Sequence, residues 1–262
     1  MNTRRLGAFV LGCLLLVPSI GLCQKREAQE RGIKRFTFTL GLKTLFYTDT
    51  EISYPAIYGN ANDFHVYYDG QLFGPVLSIQ VANTETFWDN FELLISSYFG
   101  TLDAYDSSGL PKSASSSDMK LKLANVKAAL CYRIIPHFLV FADFIYKKYE
   151  FKSGHAQWPS KMPDTDELYG GGVGAKAGLP LGKSGVFLWA SGEIMPYAAY
   201  QYDDSSAWGA TAAGGLGYSV EGGDWLPMSL TVTVGYYYTK VDSDGYFDEQ
   251  TDAGSADVVV SW

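Results

Sequence analysis

Long apolar runs are absent from this chain beyond its amino-terminal leader, although hydrophobic residues make up 47% of the 262 positions. A membrane-crossing helix needs about 20 consecutive apolar residues, so a helical membrane protein is excluded. Cysteine is scarce as well. Cys13 and Cys23 belong to the leader and Cys131 is left alone, which excludes a disulfide framework; Cys131 reads as a small residue packed on a strand. Histidine is limited to His65, His137 and His155. The acidic run Asp242, Asp244, Gly245, Asp248 and Glu249 misses the Asp-x-Asp-x-Asp-Gly spacing of a calcium loop, so neither a metal nor a cofactor is implied. Positive charge is in deficit too. A formal charge of −8, more negative still without Arg4 and Arg5 of the leader, argues against nucleic acid or an anionic lipid surface as a partner.

What is present begins with an export signal. Arg4 and Arg5 form its charged region and Leu6 to Val17 its apolar core, with Pro18 and Gly21 leading to cleavage after Gly21 or Cys23. Residues 1–23 are therefore expected to be a cleaved signal peptide. Residues 24–262 are expected to form one domain, because a single texture runs to Trp262 with no linker to divide it.

That texture is alternation with period two, clearest in two segments joined by 221–227. In the first, Trp208, Ala210, Ala212, Leu216, Tyr218 and Val220 oppose Gly209, Thr211, Ala213, Gly215, Gly217 and Ser219. In the second, Met228, Leu230, Val232, Val234, Tyr236 and Tyr238 oppose Ser229, Thr231, Thr233, Gly235, Tyr237 and Thr239. This is a β-hairpin. A soluble strand turns Lys, Glu, Asp or Arg to water, whereas the polar face here is Gly, Ser, Thr and Ala, which suits an enclosed lumen. The other face is aliphatic and ends in aromatics, as a lipid-facing surface does. The fold expected is all-β: a single transmembrane antiparallel up-and-down β-barrel, since only closure satisfies every backbone hydrogen bond in hydrocarbon.

Along the chain, strands are read around Phe36–Phe46, Leu77–Ala82, Asn90–Phe99, Met119–Tyr132, Phe138–Tyr146, Tyr169–Leu179 and Val186–Ile194, then the hairpin, then Ser255–Trp262. The count is about ten, with eight or twelve open because Thr48 to Gly70 is long enough for another hairpin. A phase slip between Leu123 and Val126 predicts a β-bulge near Asn125. Long connections at 48–70, 103–117, 152–166, 201–206 and 242–251 alternate with short ones. This places the long loops outside the cell and both ends of the barrel domain in the periplasm. The last strand alternates Ala256, Val258, Val260 and Trp262 against Ser255, Asp257, Val259 and Ser261. A terminal aromatic on such a strand resembles the assembly signal of Gram-negative outer-membrane proteins. The resemblance is to the class, and implies outer-membrane lipid around the barrel and recognition of Val258, Val260 and Trp262 by the barrel-assembly machinery.

Seven charges fall on the lumen face: Lys43, Glu92, Lys127, Asp143, Lys147, Lys176 and Glu193. Phe187, Trp189 and Tyr237 project into the same space. Mixed charges in a narrow barrel are expected to pair across the interior and close it, because an unpaired charge in a low dielectric is costly; a narrow water path is the alternative. Outside, Asp203, Asp204, Asp242, Asp244, Asp248 and Glu249 are expected to ring the mouth. Omptin proteases are similar in strand number and use acidic residues with a histidine at the outer rim. Here His65 and His155 lie outside in no Asp-x-His pair, and Ser153 with His155 is the only local Ser/His candidate for a lipid-modifying enzyme. No catalytic residue is assigned. The expected role is structural or surface-binding, with an acidic extracellular face. A narrow, weakly cation-preferring pore is the alternative, and a hydrolase or lipid-modifying enzyme comes third. Deleting Trp262 is predicted to lower the amount of barrel assembled in cells much more than the unfolding stability of the fraction that does assemble. Equal assembly without Trp262 would remove the argument from the terminal aromatic.

Overall fold

The computed structural model describes residues 35–54, 64–82, 90–108, 119–152, 164–201, 205–221, 228–244 and 247–262. The signal peptide therefore lies outside the described residues, as do Asp203, Asp204, Ser153 and His155. Among those described, the strands are β1 (Arg35–Tyr54), β2 (Phe64–Ala82), β3 (Phe91–Ser108), β4 (Lys120–Ile135), β5 (Phe138–Lys152), β6 (Thr165–Pro180), β7 (Val186–Tyr200), β8 (Ser206–Glu221), β9 (Ser229–Ser243) and β10 (Asp248–Ser261). Each pairs antiparallel with its neighbours in sequence, and β10 pairs with β1 to close a ten-stranded barrel. The seam ends in two backbone bonds. Phe38 N–H donates to Trp262 C=O at 3.1 Å and Trp262 N–H to Phe38 C=O at 3.0 Å, with the two rings stacked 6.2 Å apart.

The outward face explains where the lipid sits. Leu77, Ile79, Leu93, Ile95, Leu130, Phe144, Val173, Ile194, Val234 and Val258 are all exposed and form a band around the barrel. Aromatic pairs mark its edges: Phe91 with Tyr132 at the end carrying the tight turns, and Phe73 with Phe99 and Tyr146 with Tyr169 at the other. The described turns, at Pro136–His137 and at 181–185, lie at the end that outer-membrane convention assigns to the periplasm.

About 9–11 tilted residues cross the hydrocarbon, yet the strands run from 14 residues in β10 to 20 in β1. They overshoot the lipid at the outer end, and there the two faces exchange chemistry. On β1, even-numbered residues are apolar apart from Thr44, Thr48 and Thr50, while a bulge at Phe46–Tyr47 shifts the register against both β2 and β10. Below the bulge those residues face lipid; above it Ile52 and Tyr54 are buried inside and Asp49 and Glu51 face out. Tyr47 takes φ 50° and is 86% exposed, the strained residue that absorbs the extra length. A bulge in β7, at Pro196–Tyr197, does the same and leaves Ala198 and Tyr200 inside.

On β4 the outcome corrects the sequence reading. Its pairing with β3 and β5 is unbroken through Asn125, so there is no bulge there. Met119, Leu121, Leu123 and Asn125 all point inward, while Val126 and Leu130 further down point to lipid. The phase slip is the apolar stripe itself crossing from the inner face to the outer as the strand enters the membrane. The same cause shortens the outer loops: hydrogen bonding continues to Tyr54 and Ser108, and resumes at Phe64 and Asp248, because a core lies inside the barrel above the membrane.

A sealed seam with no free edge predicts heat-modifiable migration. The purified protein in mild detergent should run as a compact species on a gel until boiled, and identical migration before and after boiling would contradict closure of β1 on β10.

Candidate functional site

The interior divides into three levels. The outermost is an aromatic plug, in which Phe247, just ahead of β10, turns its ring inward and is 1% exposed. Its ring centroid lies 4.6 Å from that of Tyr200, 5.2 Å from Tyr149, 5.7 Å from Tyr54 and 5.9 Å from Phe151. These residues come from β7, β5 and β1, so the plug spans the barrel. Leu102, Leu121, Leu168, Val66 and Ile52 complete a contiguous buried cluster.

Directly beneath lies a buried ion pair. Lys147 Nζ donates to both oxygens of Glu249, at 3.0 and 2.8 Å, and Tyr149 OH donates to the same carboxylate. Thr251 Oγ1 donates to it at 3.1 Å and shares a 3.0 Å hydrogen bond with Thr50. Every lone pair direction of Glu249 is thus used, the condition under which a buried carboxylate is tolerated.

The third level is the polar lumen within the membrane. Lys127 bridges Asp143, at 2.7 Å, and Glu193. Gly172 makes room for them, since a Cβ there would stand 2.5 Å from Asp143 Oδ1 and 2.9 Å from Glu193 Oε1. Lys43 has its Nζ 4.9 Å from the ring of Tyr237 and 5.7 Å from that of Tyr98, whose hydroxyls share a hydrogen bond of 3.3 Å; Asn125 Nδ2 donates to Tyr98 OH at 3.0 Å. Glu92 and Lys176 line the remaining cavity of about 330 Å³.

Neither a known protein-family profile nor a curated protein matches the sequence. Among solved structures, the outer membrane protease OmpT from Escherichia coli aligns with a TM-score of 0.51 at 8% identity, covering 87% of this chain and 96% of that one. The fold is that of Gram-negative outer-membrane β-barrels. The beta domain of the Bordetella autotransporter BrkA aligns over 86% of this chain and 99% of its own at 8% identity, TM-score 0.46. With its lipid-facing band, the chain is an integral outer-membrane barrel.

On this barrel the seven expected lumen charges all sit on the inner face, but they do not form one network. Lys127, Asp143 and Glu193 come together. Lys147 instead pairs with Glu249, which the sequence reading placed on the outer rim. That expectation is corrected: Glu249 is 1% exposed and points into the barrel. The signal was available, because Glu249 shares parity with the inward Thr251, Ser255 and Asp257 once β10 is extended upward. Asp257 itself lies opposite Lys43 and was missed as a lumen charge; its carboxylate accepts from Thr233 Oγ1 at 3.5 Å. Asp242 pairs with Lys240 at 2.7 Å, Asp248 accepts from the Ser243 N–H at 2.7 Å, and Asp244 is exposed at the outer end.

Two outward clusters became visible only with the register known. Asp252, Asp49, Asp69 and Asp103 stand directly opposite one another across β10, β1, β2 and β3, one row of four aspartates just above the lipid band. Lys120 closes the row, 2.7 Å from Asp103. Higher on the same wall, His65 Nδ1 lies 2.7 Å from Ser53 Oγ and 2.8 Å from Glu51 Oε1. Serine and glutamate thus compete for one ring nitrogen. A relay needs the nucleophile on one nitrogen and the orienting acid on the other, so this arrangement fails the geometry of a hydrolase triad. His137 is exposed in the turn at the periplasmic end.

Lys147→Met is predicted to destabilise the barrel by about 3–5 kcal/mol, because it leaves Glu249 buried without its cation. Adding Glu249→Gln should restore most of the loss. Equilibrium urea unfolding in lipid vesicles measures both, and equal stability of the single variant and the parent would show that the pair is dispensable.

Proposed function

We propose that this outer-membrane barrel does not conduct, and that its working surface is the acidic outer wall and rim above the membrane, in a structural or surface-binding role. The observation that carries this reading is the plug. Rings from β1, β5 and β7 meet Phe247 across the whole section, and the Lys147–Glu249 pair fills the level below. An ion crossing would have to displace both a packed apolar cluster and a fully hydrogen-bonded charge pair.

The aspartate row supports the second half of the proposal. Like charges directly opposite across strands are destabilising, and Asp49, Asp69 and Asp252 have no cation within ion-pairing distance among the described residues. Sequences depart from local rules mainly at functional or strained sites. A cationic segment or ion would relieve that repulsion. No catalytic role is assigned: the Ser53, His65 and Glu51 cluster lacks the arrangement for acyl transfer, and its side chains face outward on the wall. Recognition of the last strand by assembly machinery belongs to the same proposal, with Trp262 at the end of the lipid-facing row as its support.

Planar-bilayer recording of the purified chain tests the reading. The expected result is no discrete conductance from the parent protein, and cation-preferring steps from a variant carrying Phe247→Gly, Tyr149→Ala, Tyr200→Ala, Lys147→Ala and Glu249→Ala, which removes both the centre of the plug and the charge pair below it, beneath an acidic mouth. Large, stable, anion-selective channels from the parent would refute both the plug and the acidic-mouth arguments.

A further inference from the structure

The opposite end of the barrel differs in its electrostatics. At the periplasmic mouth a vestibule of about 960 Å³ opens between the turn at Pro136–His137 and the turn at 181–185. It shares Leu139, Lys176 and Trp189 with the lumen cavity and so forms the entrance to it. Its size falls within the range of small-molecule sites, roughly 300–1,000 Å³.

The cations around it are not paired as the lysines at the outer end are. Lys120, Lys122, Lys147, Lys148, Lys152 and Lys240, all towards the outer end, each have an acidic partner within 4 Å, as does Lys127 in mid-lumen. Arg133, Lys176 and Lys183 line the vestibule, and among the described residues none of them makes an ion pair. Glu221 is the one acid among the described lining residues. The wall also offers aromatic surface. Lys176 Nζ lies 5.7 Å from the ring of Trp189, and the indole N–H of Trp189 is buried with no hydrogen-bond partner. Phe187 beside it is held against Gly217, where an added Cβ would come within 2.2 Å of the ring.

We infer that this vestibule is a binding site for small organic anions taken from the periplasm. The carboxylate or phosphate would be held by Arg133 and Lys176, with Lys183 at the lip, and an apolar or aromatic portion would lie against Phe187 and Trp189. Unpaired cations in a partly enclosed site attract an anion more strongly than exposed lysines do, because the surrounding low-dielectric wall screens them less. An amphiphilic anion also matches the neighbouring surfaces, rings on one side and cations on the other. The lumen cavity above the vestibule ends beneath the Lys147–Glu249 pair and the aromatic plug, so the site receives a ligand without passing it on.

Isothermal titration calorimetry of the full chain in non-ionic detergent tests this, with phenyl phosphate and benzoate as anionic probes and benzylamine as the cation of similar shape. Lys176→Gln and Arg133→Gln are the variants, each checked for heat-modifiable migration, and Lys120→Gln on the outer wall is the control. The expected result is saturable binding of an anionic probe and none of benzylamine. Each mouth variant should weaken it by about tenfold or more, the loss of one charge-assisted contact, with Lys120→Gln unchanged. No saturable binding of either anion, benzylamine binding as tightly as the anions, or folded mouth variants that bind like the parent would overturn the proposal. Since the readout is binding at the periplasmic end, its failure leaves the reading of the plug untouched.

Discussion

Closure of β1 on β10 is the constraint from which the rest of this structure follows. In hydrocarbon an unpaired N–H or C=O has no water to turn to, so a sheet survives there only as a ring in which every edge is another strand's partner. The bonds between Phe38 and Trp262 complete that ring at its periplasmic end, and the β1–β10 ladder extends from there to Ser53 and Asp248. Once the ring is closed, alternate residues on every strand face a space too narrow for bulk water. Gly172, Gly174 and Gly217 are then needed to give the Asp143, Glu193, Phe141 and Phe187 side chains somewhere to lie.

The barrel passes through two solvents, and its faces answer to each. Within the lipid the outer wall is apolar and the interior holds charge; above it the outer wall is charged and the interior is an apolar core. A strand can make this exchange in two ways. β1 and β7 keep their sequence phase and use a bulge to turn the same apolar positions inward, with Tyr47 and Tyr197 thrown outward at the bulge. β4 and β5 keep a regular ladder and shift the phase of their apolar residues instead, as Tyr149 and Phe151 follow Phe144 and Tyr146. The plug is the result of these exchanges converging at one height. It makes the outer third of the molecule resemble the core of a soluble barrel set on a transmembrane base.

Charge is sorted along the same axis. Lysines near the outer end are matched with acids across strands, leaving the aspartate row as the unbalanced feature of that wall, while among the described residues Arg133, Lys176 and Lys183 at the periplasmic mouth, like Lys43 in mid-lumen, make no ion pair. On the reading proposed above, the two ends present opposite signs to whatever approaches them and, with the lumen plugged between, each end acts as a separate surface.

The sequence by itself determined the class of fold, a count of about ten strands with eight or twelve left open, and the inward position of all seven named lumen charges, because period-two alternation is a local record of the solvent on each side of a strand. It was enough to place Phe187, Trp189 and Tyr237 inside and the lipid band outside. It did not show that the strands continue beyond the membrane, since a polar outer face with an apolar inner one reads as a loop or a phase slip until the core it encloses is seen. Partners across the barrel were also beyond its reach. Lys147 and Glu249 are 102 positions apart, and the aspartates of the outer row come from four strands whose alignment is set by register. Only tertiary structure decided those, because the energy of a buried charge or a like-charge row depends on which residue stands opposite, and closure of the ring makes that choice.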